Sequence, residues 1–198
     1  VIYTGALENH ARVLERIAAR RPLMGNSAAA CARVRDPVPL RDCLAAHELD
    51  YPRILPAGAT VPVAGRWLFK PLRSGGGLGI GVAQPGTRAT PGHYLQEFVL
   101  GESFSAVYVA MEDSVRLLGI TRQLVGEAEF HAPAFCYCGS IGPVTPTARI
   151  QRQWVKIGSV LAQVFGLRGV FGVDAVVYKG RLTLIEVNPR YSSIASAS

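Results

Sequence analysis

Two β-rich runs meet at a glycine in Phe171-Gly172-Val173-Asp174-Ala175-Val176-Val177-Tyr178-Lys179-Gly180-Arg181-Leu182-Thr183-Leu184-Ile185-Glu186-Val187-Asn188-Pro189-Arg190. Apolar residues on both sides of Lys179-Gly180 predict a hairpin. Its register decides what it can do. A two-residue loop sets Asp174 opposite Ile185 and leaves Asp174 and Glu186 on opposite faces, because side chains alternate. A three-residue loop, Lys179-Gly180-Arg181 with glycine in the left-handed position, pairs Tyr178 with Leu182. Asp174 then faces Glu186 with Cβ atoms about 5 Å apart, and this is the register we expect. Asn188 shares that face. Two adjacent carboxylates in an apolar hairpin repel each other and call for compensation. Carboxylates with an amide oxygen suit Mg²⁺, which takes a few protein oxygens and completes its shell with phosphate oxygens. An exposed hairpin with ordinary polar residues is the plainer alternative, disfavoured by the apolar flanks.

Upstream of the hairpin, residues 147–165 predict one long amphipathic helix, ended by Gly166. Before it, strands are expected at 66–71, 80–83, 94–99, 103–111 and 115–125, with a polar turn over 84–92. Cys136-Tyr137-Cys138 alternates like a strand, with both thiols on one face. The first third reads as helical: 6–21, then 27–33 capped by Asn26, then a helix from Asp36-Pro37 to about His47, with Asp as cap and Pro at the first turn. Leu55-Pro56-Ala57-Gly58 reads as a hinge. The glycine run Ser74-Gly75-Gly76-Gly77-Leu78-Gly79-Ile80-Gly81 follows a strand. A dinucleotide-binding fold needs a helix directly after such a run, but Val82-Ala83-Gln84-Pro85-Gly86 has no helical period. A P-loop needs Gly-Lys-Ser/Thr, a triplet this sequence lacks. The run is therefore expected to join two antiparallel strands as a flap whose N–H groups can cover phosphates.

With 198 residues, 49% apolar and 18% charged, the chain is expected to fold as one substantial core or two small lobes sharing a cleft. The net charge of +7 comes mainly from scattered arginines. Arg12, Arg16 and Arg20 fall on one helical face opposite Val13, Leu14, Ile17 and Ala18, a solvated face in preference to a nucleic-acid surface. Cys31, Cys43, Cys136 and Cys138 form no C-x-x-C pair and read as free thiols of a reducing compartment. No apolar run approaches the about 18 residues of a membrane span. No secretory signal is visible, and a cytoplasmic protein is expected, without nucleic-acid or membrane partners. Ile194-Ala195-Ser196-Ala197-Ser198 reads as a cut or disordered end.

Taken together, the motifs resemble the ATP-grasp superfamily, over roughly residues 52–192. The resemblance implies an α+β fold of two lobes gripping ATP. Lys70, in Trp67-Leu68-Phe69-Lys70-Pro71, would meet phosphate, and Ser74, Gly75, Gly76 and Gly77 would form the flap. Gln96, Glu97, Phe98 and Val99 would hold adenine, with Glu102 near the ribose, although Ser103 can occupy that place. Asp174, Glu186 and Asn188 would bind two Mg²⁺ ions, with Mn²⁺ as a substitute. Arg190 and Arg122 are candidates for gripping the γ-phosphate or an acyl phosphate. The segments Tyr3-Thr4-Gly5-Ala6-Leu7-Glu8-Asn9-His10, Gly25-Asn26, Arg35-Asp36-Pro37 and Tyr137-Cys138-Gly139-Ser140-Ile141-Gly142-Pro143 narrow the likeness. They resemble ATP-dependent carboligases related to biotin carboxylase, and tyramine–glutamate ligases. By this likeness residues 1–52 would end an N-terminal α/β domain, in a chain that is a piece of a longer one. Residues 53–99 would form the lid with the flap, and 100–198 the subdomain with the metal hairpin. One departure is Pro37, near which many members carry a second phosphate-binding lysine; that contact is either absent or made by Arg35 or Arg41. The implied function is an ATP-dependent carboxylate–amine ligase acting on small molecules through an acyl phosphate. A homodimer is compatible with it. A biotin-carboxylase-like carboxylase and a nucleotide-binding module without turnover are the alternatives.

Overall fold

A computed structural model describes residues 1–191; the terminal segment from Ile194 to Ser198 lies outside the described residues. A 3-10 turn, Leu7–Asn9, precedes α1 (Ala11–Ala18). The helix expected over 6–21 is thus broken at His10 and shorter at both ends. Only Leu14 of its expected apolar face is buried. Next come α2 (Ala28–Arg35) and α3 (Pro37–Ala46). Ser27, and not Asn26, caps α2 by accepting from the Ala30 N–H, while Asp36 caps α3 by accepting from the Val38 N–H. Asn26 is withdrawn from capping because its side chain is buried in a different network, described below.

Residues 54–97 build a four-stranded antiparallel sheet from β1 (Ile54–Leu55), β2 (Trp67–Pro71), β3 (Gly81–Ala83) and β4 (His93–Glu97), in the order β1-β4-β2-β3. The expected hinge at Leu55 therefore starts as a short edge strand on β4. Trp67, Val61, Ala83, Ala89 and Leu95 fill the core on one side of this sheet. The glycine run does connect antiparallel β2 and β3.

A second sheet contains β5 (Glu102–Ala110), β6 (Val115–Val125), β7 (Tyr137–Ile141), β8 (Gly169–Tyr178) and β9 (Arg181–Asn188), in the order β7-β6-β5-β8-β9. α4 (Ala148–Phe165) covers one face, capped by Thr147 and ended by Gly166 at φ 67. Ala106, Tyr108, Phe171, Val173 and Ala175 share a core with Trp154, Ile157 and Leu161 of α4. Tyr108 stacks on Phe171 at 5.0 Å and donates to the Trp154 carbonyl at 2.9 Å. Gly158 is required there, since a Cβ would sit 2.4 Å from the Tyr108 ring. Val34 of α2 and Leu40 and Leu44 of α3 join the same core, so these early helices are built into the larger sheet. Helices and antiparallel sheets together give the expected α+β class.

Candidate active site

Because strand side chains alternate, the face of the larger sheet opposite α4 carries Ser103 and Ser105 of β5, Gln123 of β6, Asp174 and Val176 of β8, and Glu186 and Asn188 of β9. These residues line a cleft of about 450 Å³ whose other wall is Leu68, Lys70 and Gln96 of the smaller sheet.

Asp174 does face Glu186, but not by the expected route. The turn is the two-residue one: Tyr178 pairs with Arg181, and Lys179 and Gly180 both have positive φ, 48 and 75. This is the primed geometry that matches strand twist. Ala175 then pairs with Leu184 and Asp174 with Glu186, leaving Ile185 as the extra residue of a β-bulge. The bulge restores the opposition that the short turn would have destroyed. It also frees the Ile185 carbonyl, which accepts from Lys70 Nζ at 3.3 Å. Lys70 is 6% exposed, and this carbonyl is its hydrogen-bond partner among the described residues.

Asp174 accepts from Gln123 Nε2 at 3.1 Å and Asn188 Nδ2 at 2.9 Å. Burial pushes its carboxyl from an ordinary 3.8 up to about 6, with the Glu186 charge acting in the same direction and Ser105, Asn188 and Lys70 opposing. The pair is thus short of positive charge. Two carboxylates and an amide oxygen, open to a cleft, fit a divalent cation that keeps part of its shell for phosphate or water. Among the described residues no group of three or more His, Cys, Asp or Glu gathers, so a closed all-protein metal cage is not what these residues offer.

The flap folds back over the cleft. Gly76 accepts from the Tyr137 N–H at 3.1 Å, and Arg35 Nη2 donates to the Ser74 carbonyl at 2.9 Å. Gly77, at φ 80, lies so close to the loop before β7 that a Cβ would come within 1.8 Å of the Phe135 carbonyl oxygen. A Cβ on Gly75 would lie 3.9 Å from Arg190 Nη2, which places that guanidinium beneath the flap.

Of the residues expected at the site, Lys70, Gly76, Gly77, Gln96, Phe98, Val99, Asp174, Glu186, Asn188 and Arg190 line the cleft. Ser74 lines a small adjoining cavity of about 30 Å³ with Arg35, Tyr51, Tyr94, Lys70 and Glu186. Arg35 is therefore beside the site, whereas Arg41 is half-exposed and paired with its neighbour Asp42. Glu97 turns its side chain away into a bidentate pair with Arg53, whose hydrogen bonds hold its carboxyl below the ordinary range. Glu102 is exposed and outside the lining, while Ser103 is within it. Arg122 is not brought in either. It pairs with Phe104, on the face opposite Ser105 and Asp174, and Gln123 beside it reaches the carboxylate instead. Gln123 and Ser105 were missed as site residues because strand positions alone do not say which face meets the cleft, and Phe135 because it sits in the turn before β7, whose place is set by its contact with Gly77 of the flap. Phe135 packs edge-on against Phe98 at 6.5 Å, giving the cleft lining an aromatic pair.

A family model described as an ATP-grasp domain matches residues 34–193. No curated protein sequence matches the chain. Among solved structures, an ATP-grasp superfamily protein from Archaeoglobus fulgidus is 24% identical, with a TM-score of 0.68 over 92% of this chain and 54% of its own. Pyruvate carboxylase from Rhizobium etli is 15% identical, with a TM-score of 0.74 over 96% of this chain and 18% of its own. D-alanine–D-alanine ligase from Bacillus anthracis, solved with ATP, is 13% identical, with a TM-score of 0.66 over 94% of this chain and 65% of its own. At these identities the likeness is one of fold. The chain spans about half the length of the Archaeoglobus protein.

Proposed function

The chain belongs to the ATP-grasp family, and from that premise we propose that its cleft binds ATP and uses it to join a small-molecule carboxylate to an amine. The observation that carries this reading is the mixed lining of the cleft: charged side chains, Lys70, Arg190 and the Asp174–Glu186 pair, and an apolar group, Phe98 packed on Phe135 together with Val125. A triphosphate with an aromatic base has the same mix. In this reading residues 53–99 act as the lid and 100–198 as the subdomain with the metal hairpin.

Lys70 and Arg190 neutralise phosphate charge, and the flap excludes water from it. Adenine lies against Phe98 and Phe135, beside the Gln96–Val99 segment. Asp174, Glu186 and Asn188 would hold Mg²⁺, which would supply the charge neutralisation that lets an anion approach the γ-phosphorus. A carboxylate oxygen of the substrate attacks that phosphorus and ADP leaves; an amine then attacks the acyl carbon and phosphate leaves. Positioning and electrostatics suffice, so no side-chain nucleophile is required.

Incubation with Mg²⁺, ATP, hydroxylamine and a panel of carboxylic acids tests this. A hydroxamate should form in step with ADP for the right acid, and Glu186→Ala should abolish both. ADP release that ignores the acid, or a carboxylated product made from bicarbonate, would sink the ligase reading.

A further inference from the structure

Residues before the family-matched region converge on the end of the metal hairpin. Asn26, 1% exposed, donates from Nδ2 to the Pro189 carbonyl at 3.0 Å and accepts the Arg168 N–H at 2.7 Å. The Tyr3 hydroxyl lies 3.2 Å from the same Pro189 carbonyl and donates to the Asn26 carbonyl at 2.8 Å. Next to them Glu8 accepts from Arg190 Nε at 2.7 Å, with a side chain only 1% exposed. Its second oxygen, Oε2, is buried without a hydrogen-bond partner among the described residues. A buried, half-used carboxylate is costly, yet here it sits directly behind a cleft-lining arginine. By holding Nε, Glu8 leaves Nη2 under the flap beside Gly75.

We infer that Glu8 is a positioning residue: it aims the Arg190 guanidinium so that the cleft distinguishes a terminal γ-phosphate from its absence. The inference rests on the ATP-binding reading above and adds residues 1–33, outside the matched domain, to the machinery of the site. An arginine anchored through one edge presents the remaining donors in a fixed direction, so little ordering is left to do when phosphate arrives. A purely structural Glu8–Arg190 staple would stabilise the N-terminal segment without affecting phosphate discrimination.

Calorimetry on the full 198-residue chain with Mg²⁺ and either ADP or a non-hydrolysable ATP analogue separates the two roles. The wild-type chain should prefer the ATP analogue. Arg190→Ala should weaken the analogue about tenfold and leave ADP nearly unchanged, the scale of one lost charged hydrogen bond. Glu8→Ala should do the same, and the double variant should lose no more than either single one. Glu8→Gln, which keeps shape and an acceptor oxygen, decides the matter if Glu8→Ala unfolds; it should lose about threefold, a partial loss of the charged contact. A wild-type preference retained in a folded Glu8 variant, or in Arg190→Ala, overturns the inference. If the wild-type chain binds neither nucleotide, the ATP reading itself is wrong and the inference falls with it.

Discussion

Lys70 concentrates the electrostatic logic of the cleft in one side chain. It is almost buried, its hydrogen bond goes to the Ile185 carbonyl, and it faces the wall that holds Asp174 and Glu186. An ammonium in that position is ready for an anion. Lys70→Ala should therefore weaken ATP by about 1.5–3 kcal/mol while leaving adenosine nearly untouched; titration of both ligands checks it, and equal losses would mean that Lys70 only supports its strand. Asp174 makes the complementary prediction. Its carboxyl is raised to about 6, so the metal-free folded protein keeps a proton that the unfolded chain has already lost. The stability contribution is present at pH 4 and below and is lost as pH rises towards 6. Melting curves without Mg²⁺ should show Asp174→Asn with a flatter pH dependence than wild type across that window. Parallel profiles would remove the burial argument. Lys70, Asp174, Glu186 and Asn188 were legible in sequence because each stands out chemically within an apolar strand. Gln123 and Glu8 were not: a polar residue on a half-buried strand, or in a short turn, acquires its role only from partners far along the chain.

At the scale of elements, the flap is docked, with Gly77 against the Phe135 carbonyl and Gly76 on the Tyr137 N–H. Gly76 and Gly77 both have positive φ, 64 and 80, but only Gly77 lacks room for a Cβ. Gly76→Ala should cost about 1 kcal/mol of backbone strain. Gly77→Ala should in addition push the flap off the loop and weaken ATP-analogue binding several-fold more. Binding titrations of the two variants, with hydrogen exchange over residues 73–80, measure the difference; equal effects would mean that the contact with Phe135 plays no part in nucleotide binding. Strand composition made the hairpin of β8 and β9 readable, and with it the opposition of Asp174 and Glu186. The turn length was misread because glycine fits both loop types, and a bulge at Ile185 leaves no compositional mark. The break at His10 in the first helix is equally silent, since helical spacing continues through it.

Across the whole molecule, α2 and α3 pack into the core of the larger sheet, and Asn26 ties the N-terminal segment to Arg168 and Pro189. Asn26→Ala would leave a buried N–H and carbonyl short of partners, at a cost of about 2–3 kcal/mol. A fall in the unfolding midpoint should follow, with a further loss of ATP affinity as the hairpin exit loosens. An unchanged midpoint would show that the segment is an appendage. Order and spacing of motifs revealed the family-level arrangement in the sequence, but not this cross-chain network, which depends on residues 142 and 163 positions apart. The larger sheet also separates its duties by face: Ala106, Tyr108, Phe171 and Val173 meet α4, while Ser103, Gln123, Asp174 and Val176 meet the cleft. Neighbouring positions on one strand thus answer to different selective demands. Substitutions at 103 or 176 can reshape the cleft while the opposite face goes on holding the protein together, so its lining can change without first acquiring a reserve of stability.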